Sequence, residues 1–552
     1  MNTVITFANE NKSLAVPVGT TVLDAARQLH ITALESPCNG RGTCGKCLVS
    51  VGVCPDKAEQ VPPLTNVLAC QTHITENMTV FTQSKELENK TLKILGTGKS
   101  FSYTLQPFLS KQFDGEKTIV YGGGKMIGTE IGNTADFLYG LAVDIGTTTL
   151  VVSIIDLLTG KELAAESKLN PQSAYAQDVL SRIHFAGNSG GLATMQTTLT
   201  GALNQMLTDA AAKAGVNAQH IYEAVYSGNT AMLHLACGVN PKPLGQYPYT
   251  SQVNGGEHLS AETLFLNISP FGLVYLPPII SAFVGADITS GVLVSQLFER
   301  KETVLFIDIG TNGEMVLAKN GALAACSTAA GPAFEGMNIA CGMRAGNGAV
   351  ESFHIEENGS ITFQVIGNVP ATGICGSGLL DITGELVRTR IIGKTGRFIK
   401  GGKSADKAVC APISRLDTDK KTFFITDDVY LTQNDVRQIQ LAKGAIRSGI
   451  ESLLTTLHLT ADDVDQVEIA GSFGYHLNEK SLLDIGLLPA ALKGKVSFVG
   501  NTAQSGGIAF LLNTEYREKM FRSVTEIQKI ELANNEGFEK LFVASLEFSD
   551  RR

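Results

Sequence analysis

The hydrophobic pattern of the first 95 residues predicts a small mixed unit of strands and one helix. Short β-rich runs at 3–8 and 13–18 are separated by an asparagine-rich turn. The run at 22–31 places apolar residues at helical spacing and follows two threonines that can cap a helix. Strand-like runs at 47–53 and 78–82 flank the rest of the unit. Strand, hairpin, helix, loop and strand in this order predict an α+β module at residues 1–95.

Beyond residue 95 the periodicity weakens and then returns as a repeat. The segment 96–138 is predicted to be a linker, because its glycine run at 121–128 lacks the strand-to-helix context of a phosphate loop. Two later segments, 141–155 and 305–319, each read as an apolar strand, the tetrapeptide DIGT and a second β-rich run. A shared local design at domain-scale spacing, with helical patterns between, predicts two related α/β lobes. Their expected bounds are 139–300 and 301–552.

Composition and charge narrow the class of protein. Across 552 residues the formal net charge is −9, which disfavours a dedicated nucleic-acid binder. The first residues lack a signal-peptide pattern, and the apolar stretch at 271–280 is too short to span a bilayer. We therefore expect a cytoplasmic protein with no membrane segment. In a reducing compartment, clustered cysteines indicate metal or redox chemistry more than disulfides.

Four of the ten cysteines form one cluster, C-x5-C-x2-C on a glycine-rich loop and a fourth residue further on. Thiolates converging from such a loop suit an iron–sulfur cluster, since glycines let the backbone wrap it closely. The arrangement resembles the adrenodoxin-type 2Fe-2S ferredoxins, whose β-grasp fold has the same order of elements. The predicted ligands are Cys38, Cys44, Cys47 and Cys70.

Two alternatives to this ligand set are open. A structural zinc site also takes four thiolates, although it usually draws on two C-x2-C pairs and only one is present. Cys54 has a spacing that could replace Cys70, whereas the resemblance to β-grasp ferredoxins favours Cys70.

The two DIGT turns predict a phosphate and magnesium site. In the first, Asp144 ends a strand and can hold Mg²⁺ through water, and the following glycine lets the backbone approach an anion. Asp308 begins the equivalent turn of the second lobe. Two such turns facing each other could clamp the polyphosphate of ATP. The expected phosphate-binding residues are Gly146, Thr147, Thr148, Gly310, Thr311 and Asn312.

A third glycine element, AGSFG at 470–474, follows an apolar strand, and its glycines would let adenosine lie against the backbone. Two DxGT turns followed by AGxFG resemble the superfamily of sugar and acetate kinases, heat-shock chaperones and actin. This resemblance implies a two-lobed actin-like (ASKHA, ribonuclease H-like) ATPase domain. A further glycine-rich turn at 373–382 suits either phosphate binding or close helix packing. The additional expected nucleotide residues are Gly376, Ser377, Lys443, Gly471, Ser472 and Gly474.

A ferredoxin module joined to an actin-like ATPase resembles the reductive activators of corrinoid enzymes, and the resemblance covers nearly the whole chain. The segments that carry it include 170–183, 227–238 and 330–350. It implies ATP-dependent transfer of one electron from a 2Fe-2S cluster to Co(II), which regenerates Co(I). Implied partners are a corrinoid protein of a methyltransferase system and a low-potential electron donor, and a homodimer is expected. Known members can carry a middle domain, which is expected to be absent or reduced here.

The residue that activates water is less defined by the pattern. Three polar residues inside the family-like segments are candidates, namely Gln172, Asp178 and Glu335.

Three other functions are compatible with parts of the sequence. They are a small-molecule kinase with a redox sensor, a nucleotide-switched scaffold, and the activators of 2-hydroxyacyl-CoA dehydratases. The last carry a 4Fe-4S cluster shared between subunits, which the four-cysteine pattern disfavours.

Overall fold

The N-terminal module folds as a mixed five-stranded sheet with one helix. The computed structural model describes residues 2–29, 31, 34, 40, 47–53, 64–82, 104–399, 410–471, 477–535 and 537–549. The strand order is β2-β1-β5-β3-β4, in which β1 and β5 are parallel and the other neighbours antiparallel. The elements are β1 (Asn2–Phe7), β2 (Lys12–Pro17), α1 (Val22–Gln28), β3 (Leu48–Val53), β4 (Thr65–Leu68) and β5 (Met78–Thr82).

The helix of this module starts where the sequence places a cap. Thr21 accepts a hydrogen bond from the backbone N–H of Asp24 at 3.1 Å, which satisfies one free donor of the first turn. Val22, Leu23 and Ala26 are buried against the sheet. The predicted α+β module is confirmed as a β-grasp arrangement.

The segment 96–138 differs from its prediction as a linker, because it contains a three-stranded antiparallel sheet. Gly123 and Gly124 both have positive φ and form a tight hairpin turn, where only glycine avoids strain. A glycine pair between two β-rich runs is typical of a β-hairpin, and this pattern in the sequence favours a hairpin over a linker. The strands are β6 (Leu109–Phe113), β7 (Lys117–Gly122) and β8 (Lys125–Ile131). We call this sheet the connector.

The first lobe has a six-stranded sheet in the order β11-β10-β9-β12-β14-β13. Its elements are β9 (Tyr139–Ile145), β10 (Thr149–Asp156), β11 (Glu162–Leu169), α2 (Val179–Ala186), α3 (Gly191–Ala214), β12 (Ile221–Gly228), α4 (Thr230–Ala236), β13 (Glu257–Ser260), β14 (Leu273–Leu276) and α5 (Ala286–Val294).

The second lobe has a six-stranded sheet in the order β25-β24-β15-β16-β17-β26, with two small three-stranded sheets beside it. Its elements are β15 (Val304–Ile309), β16 (Gly313–Lys319), β17 (Ala322–Thr328), β18 (Ala349–Ile355), β19 (Ile361–Val365), β20 (Gly373–Ile374), α6 (Gly376–Arg388), α7 (Cys410–Ile413), β21 (Leu416–Asp417), β22 (Thr422–Phe424), β23 (Tyr430–Thr432), α8 (Gln433–Thr456), β24 (Gln466–Ala470), α9 (Glu479–Asp484), β25 (Val496–Gly500), α10 (Thr502–Leu512), α11 (Thr514–Ser523), β26 (Gln528–Lys529) and α12 (Phe538–Ser545).

The two large sheets share one topology. In each, three sequential antiparallel strands are followed by two strands that run parallel to the first of the three. The first strand of each set therefore lies near the sheet centre and ends in a DIGT turn. The internal repeat predicted from the sequence is confirmed at the level of whole sheets.

Helices α5 and α10 cross closely between the lobes. A Cβ on Gly506 would lie 2.4 Å from the Cβ of Ser290, and one on Gly291 would lie 2.5 Å from the ring of Phe306. These approaches are possible only without side chains, so the glycines hold the two sheets at a fixed separation. Within the described ranges, no helix combines the length and apolar character that a membrane crossing requires.

Candidate functional site

A cleft lies between the lobes where the two DIGT turns face each other. The turn after β9 supplies Gly146, Thr147 and Thr148, and the turn after β15 supplies Gly310 and Thr311. The cleft thus joins the residues that the sequence predicted from two distant segments. Further lining residues are Asp144, Asn229, Asp287, Asp308, Asn312, Glu314, Phe334, Glu335, Arg344, Cys375, Gly376, Ser377, Gly471 and Asn501.

Four carboxyl groups form the acidic part of this cleft, of which Glu314 is buried and the other three are half-buried. Asp308 lies opposite Glu314 across the β15–β16 hairpin, so two like charges are direct cross-strand neighbours. Asp287, in the first turn of α5, interacts electrostatically with Asp308 and Asp144. Asp144 accepts a hydrogen bond from the side chain of Asn501 at 2.8 Å. No described donor contacts the Asp308 carboxyl group, which leaves the group without compensation from the protein.

The proton affinities of these groups reflect their crowding. Burial raises the pKa of Asp144 to about 6, although the bond from Asn501 opposes this. Burial and then the charge of Asp144 raise the pKa of Asp308 to about 7. Burial and the neighbouring aspartates raise the pKa of Asp287 to about 8 and that of Glu314 well above its usual value. Among the described residues no three acidic, histidine or cysteine side chains converge closely enough to bind a metal ion directly, so a divalent cation that offsets this repulsion would be held largely through water.

The first turn is held from behind by a buried arginine. Arg182 is fully buried and donates to the backbone carbonyl of Thr147 at 2.5 Å and to that of Ala176 at 3.0 Å. The side chain of Asn170 donates to the carbonyl of Gly146 at 2.9 Å. Asn229 donates to the Thr147 hydroxyl at 3.0 Å. These donors satisfy the carbonyls of Gly146 and Thr147 and the Thr147 hydroxyl, and so hold the turn in one conformation.

Glu335 bridges the two turns. Its carboxylate accepts a hydrogen bond from the Thr148 hydroxyl of the first turn and another, at 2.5 Å, from the Thr311 hydroxyl of the second. In the repeated motif Thr311 corresponds to Thr147, so the two contacts are made one position apart. An anionic group therefore already contacts the hydroxyls that were predicted to bind phosphate.

Glycine residues complete the walls of the cleft. Gly471 has φ +111°, and a Cβ there would lie 3.0 Å from a carboxyl oxygen of Asp308. Gly376 and Ser377 line the cleft at the start of α6, while a Cβ on Gly378 would lie 2.1 Å from the carbonyl oxygen of Val350. The glycine-rich turn at 373–382 thus serves both cleft lining and close packing. Ser472 and Gly474 lie outside the described residues.

Two of the candidates for water activation do not reach the cleft. Gln172 is fully buried, donates to the carbonyl of Met195 at 3.0 Å and accepts from Arg182 at 3.1 Å. Asp178 caps α2 and accepts from the backbone N–H of Ser181 at 2.8 Å. Both residues organise the scaffold behind the first turn, and only Glu335 of the three lines the cleft.

Lys443 also lies away from the cleft lining. It is 1% exposed, donates to the backbone carbonyl of Glu547 and lies 5.5 Å from the ring centre of Phe548. Burial lowers its pKa to about 7, with a smaller contribution from Arg447. The C-terminal residues cover this side chain, which contradicts its expected position beside a ribose.

The described part of the cysteine site fits convergent thiol ligands. The backbone N–H of Ala69 donates to the carbonyl of Cys47 at 2.8 Å, so Cys47 and Cys70 lie at the same end of adjacent strands. Gly40, from the loop between the first two cysteines, has φ +83°, and a Cβ there would lie 3.9 Å from that of Cys70. Gly40 therefore lies close to Cys70. Cys38, Cys44 and Cys54 lie outside the described residues.

Sequence reasoning missed several cleft residues. Asp287 is the single acid within a long apolar run, and Glu314 follows Asp308 at a spacing that a tight hairpin places opposite it. Those signals could have found both residues. Asn501 and Arg344 come from loops whose position depends on the tertiary fold, and nothing in their local sequence indicates the cleft.

Comparisons with known proteins agree with this geometry. The corrinoid activation enzyme RamQ of Eubacterium limosum is 31% identical over 574 aligned residues, which cover 94% of both chains. The chain belongs to the family of reductive activators of corrinoid proteins. Another member of similar sequence is the [Co(II) methylated amine-specific corrinoid protein] reductase of Methanosarcina barkeri, 22% identical over 447 residues and 74% of this chain, 77% of that one.

A solved member of the family has the same fold. The reductive activator for corrinoid, iron-sulfur protein superposes with a TM-score of 0.73 at 29% identity, covering 99% of this chain and 98% of that one.

The family models divide the chain into three matched segments. A 2Fe-2S iron-sulfur cluster binding domain matches 5–75, the RACo middle region matches 139–300, and the C-terminal domain of RACo, the ASKHA domain, matches 302–552. The expectation that a middle domain is absent is therefore wrong. The segment interpreted only as a first ATPase lobe is what this family describes as its middle region.

Proposed function

We propose that this protein uses ATP to reduce a corrinoid protein, passing one electron from its 2Fe-2S cluster to Co(II) so that Co(I) is regenerated. The observation that carries the proposal is the joining, in one chain, of a cluster-binding module to a cleft formed by two phosphate turns. Membership of the corrinoid activator family supports the choice of electron acceptor.

In this proposal Mg-ATP binds with its polyphosphate between the two turns. Threonine hydroxyls and backbone N–H groups of the turns contact phosphate oxygens, and Asp144, Asp287, Asp308 and Glu314 hold hydrated Mg²⁺ mainly through its water ligands, since no three of them converge as direct ligands. The mutual repulsion of these four groups supports the assignment, because a bound cation would remove it. Glu335 leaves the threonine hydroxyls as phosphate arrives and then orients the attacking water.

The ferredoxin module supplies the electron. When bound by Cys38, Cys44, Cys47 and Cys70, a plant-type 2Fe-2S cluster provides one-electron chemistry near roughly −400 mV. Each further 100 mV costs about 2.3 kcal/mol per electron, so reduction of a harder acceptor needs a second source of free energy. Nucleotide can supply it only if the states of the protein differ in affinity for the corrinoid partner.

The fold offers a route for such coupling between the cleft and the connector. Strand β12 begins at the connector, where Tyr222 donates to Glu130 at 2.6 Å and accepts from Lys111 at 2.7 Å. The same strand ends at the cleft, where Asn229 holds Thr147. In this proposal a change in the first turn reaches the connector, and hence the ferredoxin module, through one strand.

The partners follow from the same chemistry. The cluster must receive its electron from an external donor of low potential. We propose a corrinoid protein of a methyltransferase system as acceptor; the Methanosarcina barkeri relative, a reductase of a methylated amine-specific corrinoid protein, supports a corrinoid acceptor. We also propose a homodimer, a reducing cytoplasmic location, and the two-lobed division of the ATPase at residues 139–300 and 301–552.

An anaerobic assay tests the proposal. The protein is reduced chemically and mixed with Co(II) corrinoid protein, and the Co(I) absorbance is followed with and without Mg-ATP. ATP-dependent formation of Co(I) is the expected result. The absence of Co(I) with corrinoid proteins from several methyltransferase systems would contradict the proposal. Co(I) formation at the same rate with and without Mg-ATP would also contradict it.

Paired cysteine variants test the source of the electron. Cys70→Ala is expected to lose the visible spectrum of the cluster and all Co(I) formation while retaining ATP turnover. Cys54→Ala is the matched control and should keep both spectrum and activity. A colourless Cys54→Ala protein would show that the proposed ligand set is wrong.

A further inference from the structure

The described part of the cleft contains one basic residue to which the proposed function assigns no role. Among the described residues that line it, five are acidic and a single one, Arg344, is basic. Mg²⁺ would compensate part of this negative charge, but the polyphosphate of ATP adds more. A cleft that binds a polyanion beside five carboxyl groups needs a positive group on the phosphate side.

The backbone at Arg344 is fixed by tight packing. The neighbouring Met343 donates its N–H to the carbonyl of Ile374 at 2.9 Å. A Cβ on Gly336, which has φ +77°, would lie 2.5 Å from the carbonyl oxygen of Met343. The loop is thus clamped between β20 and the segment before it. The position from which the Arg344 side chain enters the cleft is therefore set by the fold.

The guanidinium group itself has no protein partner within the described part of the chain. Arg344 is half-buried, yet no hydrogen bond, ion pair or ring contact engages its side chain. Arg182, Arg388 and Arg517 differ, since each is held by several acceptors. A fixed backbone and an uncommitted guanidinium in a cleft are the features of a ligand-binding arginine.

We propose that Arg344 binds the terminal phosphate of ATP and stabilises the charge that develops there during hydrolysis, an inference that rests on the proposed nucleotide function. In that step an oxygen of water bonds to the γ-phosphorus as the bond to the β,γ-bridging oxygen breaks. ADP, inorganic phosphate and one proton leave. The planar guanidinium can contact two phosphate oxygens at once, which an ammonium group cannot.

The test compares Arg344→Ala and Arg344→Lys with a matched arginine variant. Arg437→Ala is the control, because Arg437 is exposed on α8 and does not line the cleft. Dissociation constants for Mg-ATP and Mg-ADP are measured by calorimetry, and kcat and KM by phosphate release. Thermal unfolding and the cluster spectrum report whether each variant is folded.

Arg344→Ala is expected to weaken Mg-ATP binding roughly ten- to hundredfold, and Mg-ADP binding by less. Arg344→Lys should recover part of the affinity but little of kcat, because it lacks the bidentate geometry. Equal ATP affinity and kcat in wild type, Arg344→Ala and Arg437→Ala would overturn this inference while leaving the proposed function intact. A wild-type protein that binds no Mg-ATP would overturn both.

Discussion

The two cleft turns share the sequence DIGT but differ in what holds them. The first is supported by Arg182 and Asn170, which donate to its backbone carbonyls, and by Asn229 of the cleft lining, which donates to its Thr147 hydroxyl. Its glycine is also required sterically, because a Cβ on Gly146 would lie 2.5 Å from the carbonyl oxygen of Thr149. The second turn has one internal bond, from the N–H of Gly310 to the carbonyl of Asn312 at 2.9 Å, and an open approach at its glycine.

The aspartates of the two turns also have different surroundings, and here the second turn is the less stabilised of the two. Across the first hairpin Asp144 faces Val151, whereas across the second Asp308 faces Glu314. Asp144 has a donor in Asn501, and Asp308 has none among the described residues. The repeated motif has therefore produced a first turn that is held by several side-chain donors and a second turn in which two carboxyl groups are direct cross-strand neighbours. Sequence identity at a turn does not imply an identical role.

Removing Arg182, the buried arginine that supports the first turn, should have the largest effect. Arg182→Ala leaves the carbonyls of Thr147 and Ala176 and the amide of Gln172 without their donor and opens a cavity. We expect the free energy of unfolding to fall by about 3 kcal/mol or more, with loss of ATP turnover. Denaturant unfolding and phosphate release measure both. Thr328→Val, which removes only a 3.1 Å bond to Gly313 of the second hairpin, should cost about 1 kcal/mol. If the two variants lose the same free energy of unfolding, the first turn is not supported more strongly than the second.

Neutralising the charged turn should separate stability from activity. Asp308→Asn is expected to lower ATP turnover about a hundredfold or more, since Mg²⁺ loses a ligand. In metal-free buffer the same variant should unfold at a higher temperature than wild type, because it relieves repulsion with Asp287 and Glu314. Asp144→Asn should gain less, since it also loses the charge that accepts from Asn501.

If Asp144→Asn gains as much thermal stability as Asp308→Asn, the inferred difference in charge repulsion between the two turns is wrong. Adding Mg²⁺ provides the internal control, because it should stabilise wild type more than either variant. In both variants the cluster spectrum should be unchanged.

The sequence predicted those parts of the molecule that depend on neighbouring residues in the chain. The DIGT hairpins and the β-grasp order are local patterns, and both appeared where expected. Asn501 and Arg344 were missed because only the tertiary packing brings their segments to the cleft. Gln172 was misassigned because a polar residue in a family-like segment looks the same whether it faces ligand or a buried arginine.

Glu335 offers a smaller but sharper test, since it touches both turns at once. Glu335→Gln keeps the shape but removes the charge that competes with phosphate for Thr148 and Thr311. We expect Mg-ATP to bind severalfold more tightly, while kcat falls because water is no longer oriented. Calorimetry and single-turnover hydrolysis separate these effects. Weaker binding together with unchanged kcat would mean that Glu335 neither competes with phosphate nor acts on water.

The smallest effect on the cleft should come from Lys443, which the C-terminal residues cover. Burial and Arg447 lower its pKa to about 7, and the nearby Glu547 opposes this. The unfolded chain therefore binds a proton between pH 7 and about 10.5 that the folded protein does not, so this group makes stability rise with pH across that window. Lys443→Met should be more thermostable than wild type below pH 7, should lose that advantage toward pH 10, and should keep ATP turnover within about twofold. A large rise in KM for ATP would instead indicate that α8, as well as the two turns, lies beside the bound nucleotide.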